Sequence, residues 1–239
     1  MIEKEEECPK CGGTGWATEK RDGREFAVKC NCRKEDMFLL RGERANIPPR
    51  FLAAELKNFV PNPGDPSQKK AKKEARRFID DFPAVTDGLL LQGPTGVGKT
   101  RLLCSIATEL MKKDPRIDIY YIDWNDLVRQ MRSGEDASTR DYEAINELIY
   151  KLTTVDLLLF DELGGSKVSQ WVDDHIYYLF NRRYNNQKIT CCATNFLDNP
   201  SADRGESLAG RIGKRIRSRL YEMTRTLEIK GMDYRQQYG

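Results

Sequence analysis

The sequence predicts an α/β fold, a parallel β-sheet covered by helices, with a small separate module at the N-terminus. From Ser67 onward, short apolar runs alternate with longer amphipathic runs, which is typical of parallel strands joined by helices. Before that, four of the seven cysteines are crowded into the first 32 residues, among glycines and charges too polar to form a core. We therefore divide the chain into a cysteine module at 1–36, a helical linker and lead-in segment at 37–66, and a main domain at 67–239.

The length, charge and composition of the chain exclude several classes of function. The 239 residues suffice for one substantial core, and a net charge of +3 describes an ordinary globular protein rather than a polycation. Any nucleic-acid contact is therefore expected as a local patch. Residues 1–7 are acidic, where a secretory signal is basic and then apolar, and no apolar run approaches the roughly 18 residues of a membrane span. We expect a cytoplasmic protein with no membrane partner, whose cysteines bind metal or remain thiols.

The N-terminal cysteines have the spacing of a metal site. Cys8 and Cys11 form C-x-x-C, and Cys30 and Cys32 form C-x-C after eighteen intervening residues. Four thiolates in two tight turns suit tetrahedral Zn²⁺, which would supply the folding free energy that a small polar segment lacks. Zinc is favoured over free thiols, and an iron–sulfur cluster remains an alternative. The other three cysteines fall in predicted helices or strands and are expected to be buried.

The helices and strands of the linker and main domain are predicted from the positions of the prolines and from the periodicity of apolar residues. Paired prolines at 48–49 stop a short helical segment, and the proline-rich stretch 61–66 is expected to be a surface loop. The predicted strands cover 89–92, 117–122, 155–160, 189–193 and 226–229. The predicted helices cover 68–82, 99–113, 124–132, 141–151, 171–184 and 206–221.

A glycine-rich motif lies between the first predicted strand of the main domain and the helix after it. The residues Gly93-Pro94-Thr95-Gly96-Val97-Gly98-Lys99-Thr100 match G-x-x-x-x-G-K-[ST] in full. In such a loop the backbone N–H groups surround a phosphate, the lysine reaches the β and γ phosphates, and the threonine ligates Mg²⁺. The strand–loop–helix context makes the match specific, so we predict that this loop binds ATP and Mg²⁺.

Two further strand ends carry side chains suited to hydrolysis. The predicted strand 155–160 places Asp161 and Glu162 at its carboxyl end, the edge at which open α/β sheets bind ligands. Asp161 would hold Mg²⁺ through water, and Glu162 would polarise the attacking water. Asn195 follows the strand 189–193 and could bond the γ-phosphate, although an isolated asparagine there is more simply a turn residue. Together with Lys99, these residues predict an ATP hydrolase rather than a passive nucleotide binder.

The ordered motifs resemble those of AAA+ ATPases of the DnaC, DnaI and IstB group, in the clade that also contains the DnaA initiator. The resemblance runs from about Cys8 to Tyr238. It rests on GPTGVGKT, LLLFDE, ATN, the arginine-rich stretch RIGKRIRSRL at 211–220 and GMDYR at 231–235. It implies an AAA+ P-loop core and self-association of the chain into a nucleotide-dependent oligomer or filament.

The resemblance also implies roles for basic residues near the C-terminus. Arg219 resembles the arginine that reaches into the ATP site of the neighbouring subunit, with Arg215 as the second choice. Arg235 resembles a sensing arginine that acts within its own subunit. The sequence ends soon after Arg235, which suggests a shorter C-terminal lid than many AAA+ proteins have.

The predicted helix 124–132 occupies the place of a helical wedge that lines a DNA channel in the same clade. Arg129 and Arg132 are therefore candidate contacts to the phosphates of single-stranded DNA, and Trp124 is a candidate stacking face for a base. A tryptophan beside a strand end is also a common core residue, so burial of Trp124 remains the alternative.

An N-terminal cysteine module before an ATPase core resembles DnaI-type loaders, in which the N-terminal part engages the helicase. The first hypothesis is an ATP-dependent loader that binds a hexameric replicative DNA helicase, holds single-stranded DNA and uses ATP hydrolysis to time release. One alternative is an IstB-like transposition ATPase that delivers a transposase to duplex DNA, against which only the cysteine module argues. The other is a nucleotide-gated adaptor with negligible turnover.

Overall fold

The computed structural model describes residues 8, 10–11, 14–21, 23–135, 139–200 and 205–234. The chain begins with an antiparallel hairpin of β1 (Trp16–Arg21) and β2 (Arg24–Lys29). No residue of β2 is buried, so this hairpin has no apolar core of its own. Across these described ranges, the helices are all too short or too polar to cross a bilayer.

Helix α1 (Asn31–Arg44) follows the hairpin directly, and two short 3-10 helices at Pro49–Phe51 and Leu56–Asn58 lead into the main domain. This differs from the predicted boundary at 36/37, which cuts through α1. The reason is local, because Cys30 is extended and serves as the N-cap of a helix whose first turn contains Cys32. The second cysteine pair is therefore carried by a helix start and not by a loop.

The main domain alternates helices and strands in the order that the periodicity predicts. Its elements are α2 (Pro66–Asp81), β3 (Gly88–Gln92), α3 (Lys99–Lys113), β4 (Ile119–Asp123), α4 (Trp124–Glu135), α5 (Thr139–Thr154), β5 (Leu157–Asp161), α6 (Gln170–Asn185), β6 (Ile189–Thr194), α7 (Leu208–Ile212), α8 (Lys214–Met223) and β7 (Thr224–Glu228). The five strands form one parallel sheet in the order β4-β5-β6-β3-β7. The α/β prediction is confirmed.

Each face of the sheet is covered by a separate apolar layer. Leu89 and Leu91 of β3 face the layer that contains α2 and α3, whereas Leu90 faces the layer built from α4, α5, α6, α7 and α8. This division follows from the alternation of side chains along a strand. Every residue of β3 and β5 is buried, and a fully buried leucine contributes about 1.5–3 kcal/mol. Burial on both faces therefore holds the central strands in place, and with them the residues at their carboxyl ends.

The arginine-rich segment predicted as one helix at 206–221 is two helices. Gly213 separates α7 from α8 with φ 80° and ψ 147°, a conformation outside the helical region that glycine adopts without steric cost. The break ends α7 at Ile212 and lets α8 begin at Lys214. The arginines of this stretch consequently have three different environments.

Candidate functional site

The glycine-rich loop runs from the end of β3 to the first turn of α3. A side chain at Gly93 would place its Cβ 2.0 Å from the carbonyl oxygen of Ile229, and one at Gly96 would place it 1.9 Å from Asp233 Oδ1. Only glycine allows this approach of the C-terminal segment to the loop. The loop therefore lies between the helix start and residues 229–234.

Lys99 is buried at the N-terminus of α3. Its Nζ donates hydrogen bonds to the carbonyl oxygens of Gly93 at 2.8 Å and Pro94 at 2.7 Å, and to Asn195 Oδ1 at 2.8 Å. Since Asn195 follows β6, this contact joins the ends of two neighbouring strands. The structure brings these two predicted site residues together.

Asp161 is the last residue of β5 and is buried with both carboxylate oxygens bonded. Tyr121 donates its hydroxyl to Oδ2 at 2.8 Å, and the Glu162 N–H donates to Oδ1 at 3.0 Å. Burial, followed by the adjacent carboxylate of Asp161, raises the pKa of Tyr121, so its phenol stays protonated and donates. Sequence reasoning missed Tyr121, although it lies on β4, the strand that pairs with β5.

Glu162 is exposed and has φ 50°, an uncommon conformation for a residue other than glycine. Asn125 Nδ2 donates to Glu162 Oε2 at 3.1 Å. Sequence reasoning missed Asn125 as well. The available signal was positional, because Asn125 follows β4 as Glu162 follows β5, and the carboxyl ends of adjacent parallel strands meet at one edge.

One cleft at the carboxyl ends of β3, β5 and β6 gathers most of the predicted site. Its lining includes eight of the predicted residues, namely Thr95, Gly96, Gly98, Lys99, Thr100, Asp161, Glu162 and Asn195. It also includes Phe51, Arg101 and Tyr234, which sequence reasoning did not select. Tyr234 donates its N–H to the Gly96 carbonyl at 3.1 Å and its hydroxyl to the Val60 carbonyl at 2.6 Å.

The arginines of α8 do not line this cleft in the described part of their own chain. Arg219 donates to Asn181 Oδ1 and to the Tyr177 hydroxyl, both on α6. The exposed Arg215 lies with its guanidinium 4.4 Å from the centre of the Tyr177 ring. Arg217, between them, is buried and pairs with Asp198 through two hydrogen bonds. Arg235 lies outside the described residues.

The three predicted DNA contacts lie on helix α4. The structure contradicts one of them and leaves the other two as predictions. Trp124 is fully buried, packs against Phe160 and donates its indole N–H to the Ser166 carbonyl at 3.1 Å, so the expected stacking face for a base is wrong. Arg129 and Arg132 are exposed and lie three positions apart, on neighbouring parts of the helix surface. Arg129 pairs with Asp126, and Arg132 donates to the Lys167 carbonyl.

The four N-terminal cysteines form a cluster in which all sulfur atoms lie within 4.8 Å of one another. Cys8 and Cys30 are 3.8 Å apart, and Cys11 and Cys32 are 3.4 Å apart. A tetrahedron with Zn–S bonds of about 2.3 Å has S–S edges of about 3.8 Å, so the cluster has the size of a zinc site.

The environment of the cluster shifts its thiols unevenly, because hydrogen bonds to Cys11 and Cys30 raise the pKa of Cys32 whereas the pKa of Cys11 is lowered. Partial burial raises the pKa of Cys11, but hydrogen bonds from the Gly15 N–H and the neighbouring thiols outweigh it and lower this pKa to about 7. By contrast, burial raises the pKa of Cys191 to about 12, and Cys104, Cys191 and Cys192 are buried as expected.

Comparison with known proteins agrees with the motifs. The family model "IstB-like ATP binding protein" matches residues 57–238. Among curated proteins, the phage-like element PBSX protein XkdC of Bacillus subtilis is 22% identical over 95% of this chain and 84% of its own length. The replicative helicase loader DnaI of Bacillus subtilis is 28% identical, and there the match covers 55% of this chain and only 41% of the relative.

Among solved structures, the crystal structure of the DnaC helicase loader superposes with a TM-score of 0.63 at 29% identity. The match covers 77% of this chain and all of that chain. The resemblance inferred from the motifs is thereby confirmed at the level of sequence family and fold.

Proposed function

The chain belongs to the family of IstB-like ATP-binding proteins, and from this premise we propose that it is an ATP-dependent loader of a replicative DNA helicase. Family and fold make it an ATPase of the AAA+ type. The observation that supports the loader function is the likeness to the DnaC helicase loader, which is matched over its whole crystallised chain.

The cleft offers a triphosphate the groups that phosphoryl transfer requires. The backbone N–H groups of residues 93–98 would surround the phosphates, and Lys99 would bind the β and γ phosphates. Thr100 and Asp161 would hold Mg²⁺, which neutralises phosphate charge when it is bound. The hydrogen bonds that Asp161 accepts fix its carboxylate in the cleft.

Hydrolysis needs a positioned water and a contact that detects the γ-phosphate. Glu162 would polarise the attacking water, with its carboxylate held by Asn125. Asn195 already contacts Lys99 and would bond the γ-phosphate or that water. Arg235, which follows the cleft residue Tyr234, would sense the nucleotide within its own subunit.

Two substitutions test this assignment. Lys99→Ala should abolish binding of a fluorescent ATP analogue, because it removes the buried cation of the loop. Glu162→Gln should bind the analogue as the wild type does and lose at least about 100-fold in ATP turnover. Arg225→Ala is the control, since Arg225 forms ion pairs with Glu74 and Asp87 outside the cleft. Equal turnover in Glu162→Gln and the wild type would remove Glu162 from the mechanism.

The arginine that completes the site would come from a second copy of the chain. Arg219 lies outside its own cleft and is held against α6 by Asn181 and Tyr177, which would keep its guanidinium ready for a neighbour's γ-phosphate. Arg219→Ala should bind ATP and lose turnover. Mixing it with Lys99→Ala protein should restore part of the activity, because Lys99→Ala supplies the arginine to an intact cleft. Absence of rescue at every mixing ratio would argue against a shared site.

The N-terminal module would bind the helicase, with Zn²⁺ held by Cys8, Cys11, Cys30 and Cys32. Single-stranded DNA would contact the exposed Arg129 and Arg132 of α4 through its phosphates. Replacing both arginines by glutamine should weaken binding to a fluorescent oligonucleotide and reduce the salt dependence of binding. An unchanged affinity and an unchanged salt dependence would exclude α4 as the DNA surface.

Loading itself requires a reconstitution. The protein, ATP and the purified replicative helicase of the same cell would be incubated with a closed single-stranded DNA circle, and helicase retained on the circle would be measured after a salt wash. We expect retention with wild type and none with Lys99→Ala. An IstB-like transposition ATPase, the alternative hypothesis, would instead bind duplex DNA and leave helicase retention at background.

A further inference from the structure

The loop that follows the acidic pair is an unusual piece of backbone. Glu162 has φ 50° and Gly164 has φ 83°, and the Gly165 N–H closes a turn by donating to the Glu162 carbonyl at 2.8 Å. A non-glycine residue with positive φ persists only when its surroundings determine its conformation. Contacts outside the loop must therefore hold residues 162–165 in place.

One side chain from α7 donates hydrogen bonds to the last two residues of this loop. Arg211 donates from Nε to the Gly164 carbonyl at 2.8 Å and from Nη2 to the Gly165 carbonyl at 3.1 Å. Its Nη1 pairs with Glu206 at 3.0 Å, and only 10% of the side chain is exposed. A Cβ on Gly164 would lie 3.0 Å from the Arg211 Cβ, so the two backbones pack closely. All three guanidinium nitrogens of Arg211 therefore bond groups of its own chain.

The same guanidinium reaches the segment after β6. It lies 4.9 Å from the centre of the Phe196 ring, and Phe196 directly follows Asn195. Helix α7 is fixed to that segment at its start, where the Leu208 N–H donates to the Leu197 carbonyl at 2.9 Å. Arg211 therefore contacts both segments that carry the strand-end residues Glu162 and Asn195, without lining the cleft itself.

We propose that Arg211 is a positioning residue for ATP hydrolysis, which sets the turn at 162–165 and with it the orientation of the Glu162 carboxylate. Two fixed donors in one planar guanidinium hold two successive carbonyls in a defined relation, which a single ammonium group does not do. Displacing a reacting group by about 1 Å costs up to about 100-fold in rate, so a side chain behind the loop is enough to control turnover. This inference rests on the proposed role of Glu162.

The test compares Arg211→Ala and Arg211→Lys with the wild type and with Arg225→Ala. We expect Arg211→Ala to lower kcat about 10- to 100-fold while the Kd for ATP changes less than about twofold, because Lys99 and the glycine-rich loop are untouched. Arg211→Lys should fall between the two, and Arg225→Ala should keep wild-type kcat. Thermal melting of each variant shows whether it is folded, and Arg211→Lys keeps the test valid if the alanine variant is not.

A double variant distinguishes positioning from a general structural effect. If Arg211 acts through Glu162, adding Arg211→Ala to Glu162→Gln should lower single-turnover hydrolysis by no more than about twofold further. A full multiplication of the two losses would overturn the proposal. So would a wild-type kcat in Arg211→Ala while Glu162→Gln is inactive. Wild-type turnover in Glu162→Gln itself would refute the proposed function of Glu162 instead.

Mixing each variant with Lys99→Ala protein shows whether Arg211 acts within its own subunit or between subunits. Arg211→Ala should not be rescued by Lys99→Ala protein, because the damaged turn and the intact Lys99 belong to the same subunit. Arg219→Ala, whose missing group comes from the neighbour, should be rescued under the same conditions. Rescue of Arg211→Ala would show that it acts between subunits and would overturn the proposal.

Discussion

The hairpin of β1 and β2 and the sheet strands β3 and β5 are both short β-structures, yet they are stabilised differently. Every residue of β3 and β5 is buried between two apolar layers, whereas no residue of β2 is buried and the aromatic side chains of Trp16 and Phe26 are about half exposed. The hairpin is instead joined to α1 by four clustered thiols. Burial stabilises one region, and in the other ligation of a metal ion is expected to replace it.

The largest expected effect comes from removing metal. Chelation, or Cys30→Ser, should reduce bound zinc from about one ion per chain to none and abolish hydrogen-exchange protection across 16–29. Zinc ligation contributes about 10–16 kcal/mol in small zinc modules, far more than this exposed hairpin gains by burial. ATP affinity should change by less than twofold. Cys104→Ala, which alters a buried thiol outside the cluster, should keep the zinc. Full protection of 16–29 in metal-free protein would show that ligation is not what holds the hairpin.

An intermediate effect is expected from a cavity in the sheet layer. Phe160 is fully buried between Trp124 and Phe180, with ring centres 5.9 and 5.6 Å away, so Phe160→Ala should lower the free energy of unfolding by about 3–5 kcal/mol. Urea denaturation of the ATPase domain measures this. The matched control in the hairpin is Phe26→Ala, which should cost less than about 0.5 kcal/mol because Phe26 is half exposed. Similar losses in the two variants would erase the contrast between the regions.

The smallest effect concerns the segment that joins the two regions. Hydrogen bonds from Lys112 and then Lys57 lower the pKa of Glu55 to about 2 from an ordinary value of 4.5. This carboxylate therefore stabilises the fold above about pH 4.5, and its contribution is lost as the pH falls from there towards 2. Solvent screens the ion pairs of Glu55 with Lys112 and Lys57. Glu55→Gln should therefore lower the free energy of unfolding by at most about 1 kcal/mol at pH 7, and the difference from wild type should vanish near pH 2.

Denaturation midpoints at both pH values measure the effect of Glu55→Gln. Glu25→Gln, in the exposed Lys20–Glu25 pair of the hairpin, serves as the control and should leave the midpoint unchanged. A difference between Glu55→Gln and wild type that persisted at pH 2 would contradict the assigned cause.

The parts of the site that lie close to one another in sequence were predictable. The glycine-rich loop needs a strand before it and a helix after it, and both are local patterns. Asp161 and Asn195 were also accessible, because the carboxyl ends of parallel strands share one edge. Asn125, Tyr121 and Arg211 were not found, because their roles depend on which strands and helices become neighbours, and that order is fixed by packing over long sequence separations.

The burial of individual charged and aromatic side chains was also not predictable from the sequence. Arg183 of α6 and Arg217 of α8 are both buried, although arginine is rarely fully buried unless it is paired. Arg183 donates to the carbonyls of Leu152 near the end of α5, Val155 between α5 and β5, and Ile189 at the start of β6. Trp124 is a similar case, because an aromatic residue at a strand end has the same sequence signature whether it stacks on a base or lies in the core. Only the assembled tertiary structure supplies these partners.

The contacts of Tyr234 give the cleft an unexpected dependence on distant sequence. Through its N–H and hydroxyl, this residue connects the Gly96 carbonyl to the Val60 carbonyl, so these contacts join segments from all three thirds of the chain. A proteolytic cut just after Ile229 would leave the whole glycine-rich loop intact and still remove one wall of the nucleotide pocket. Partial digestion with and without nucleotide thus reports occupancy from a position more than one hundred residues away in sequence from Lys99.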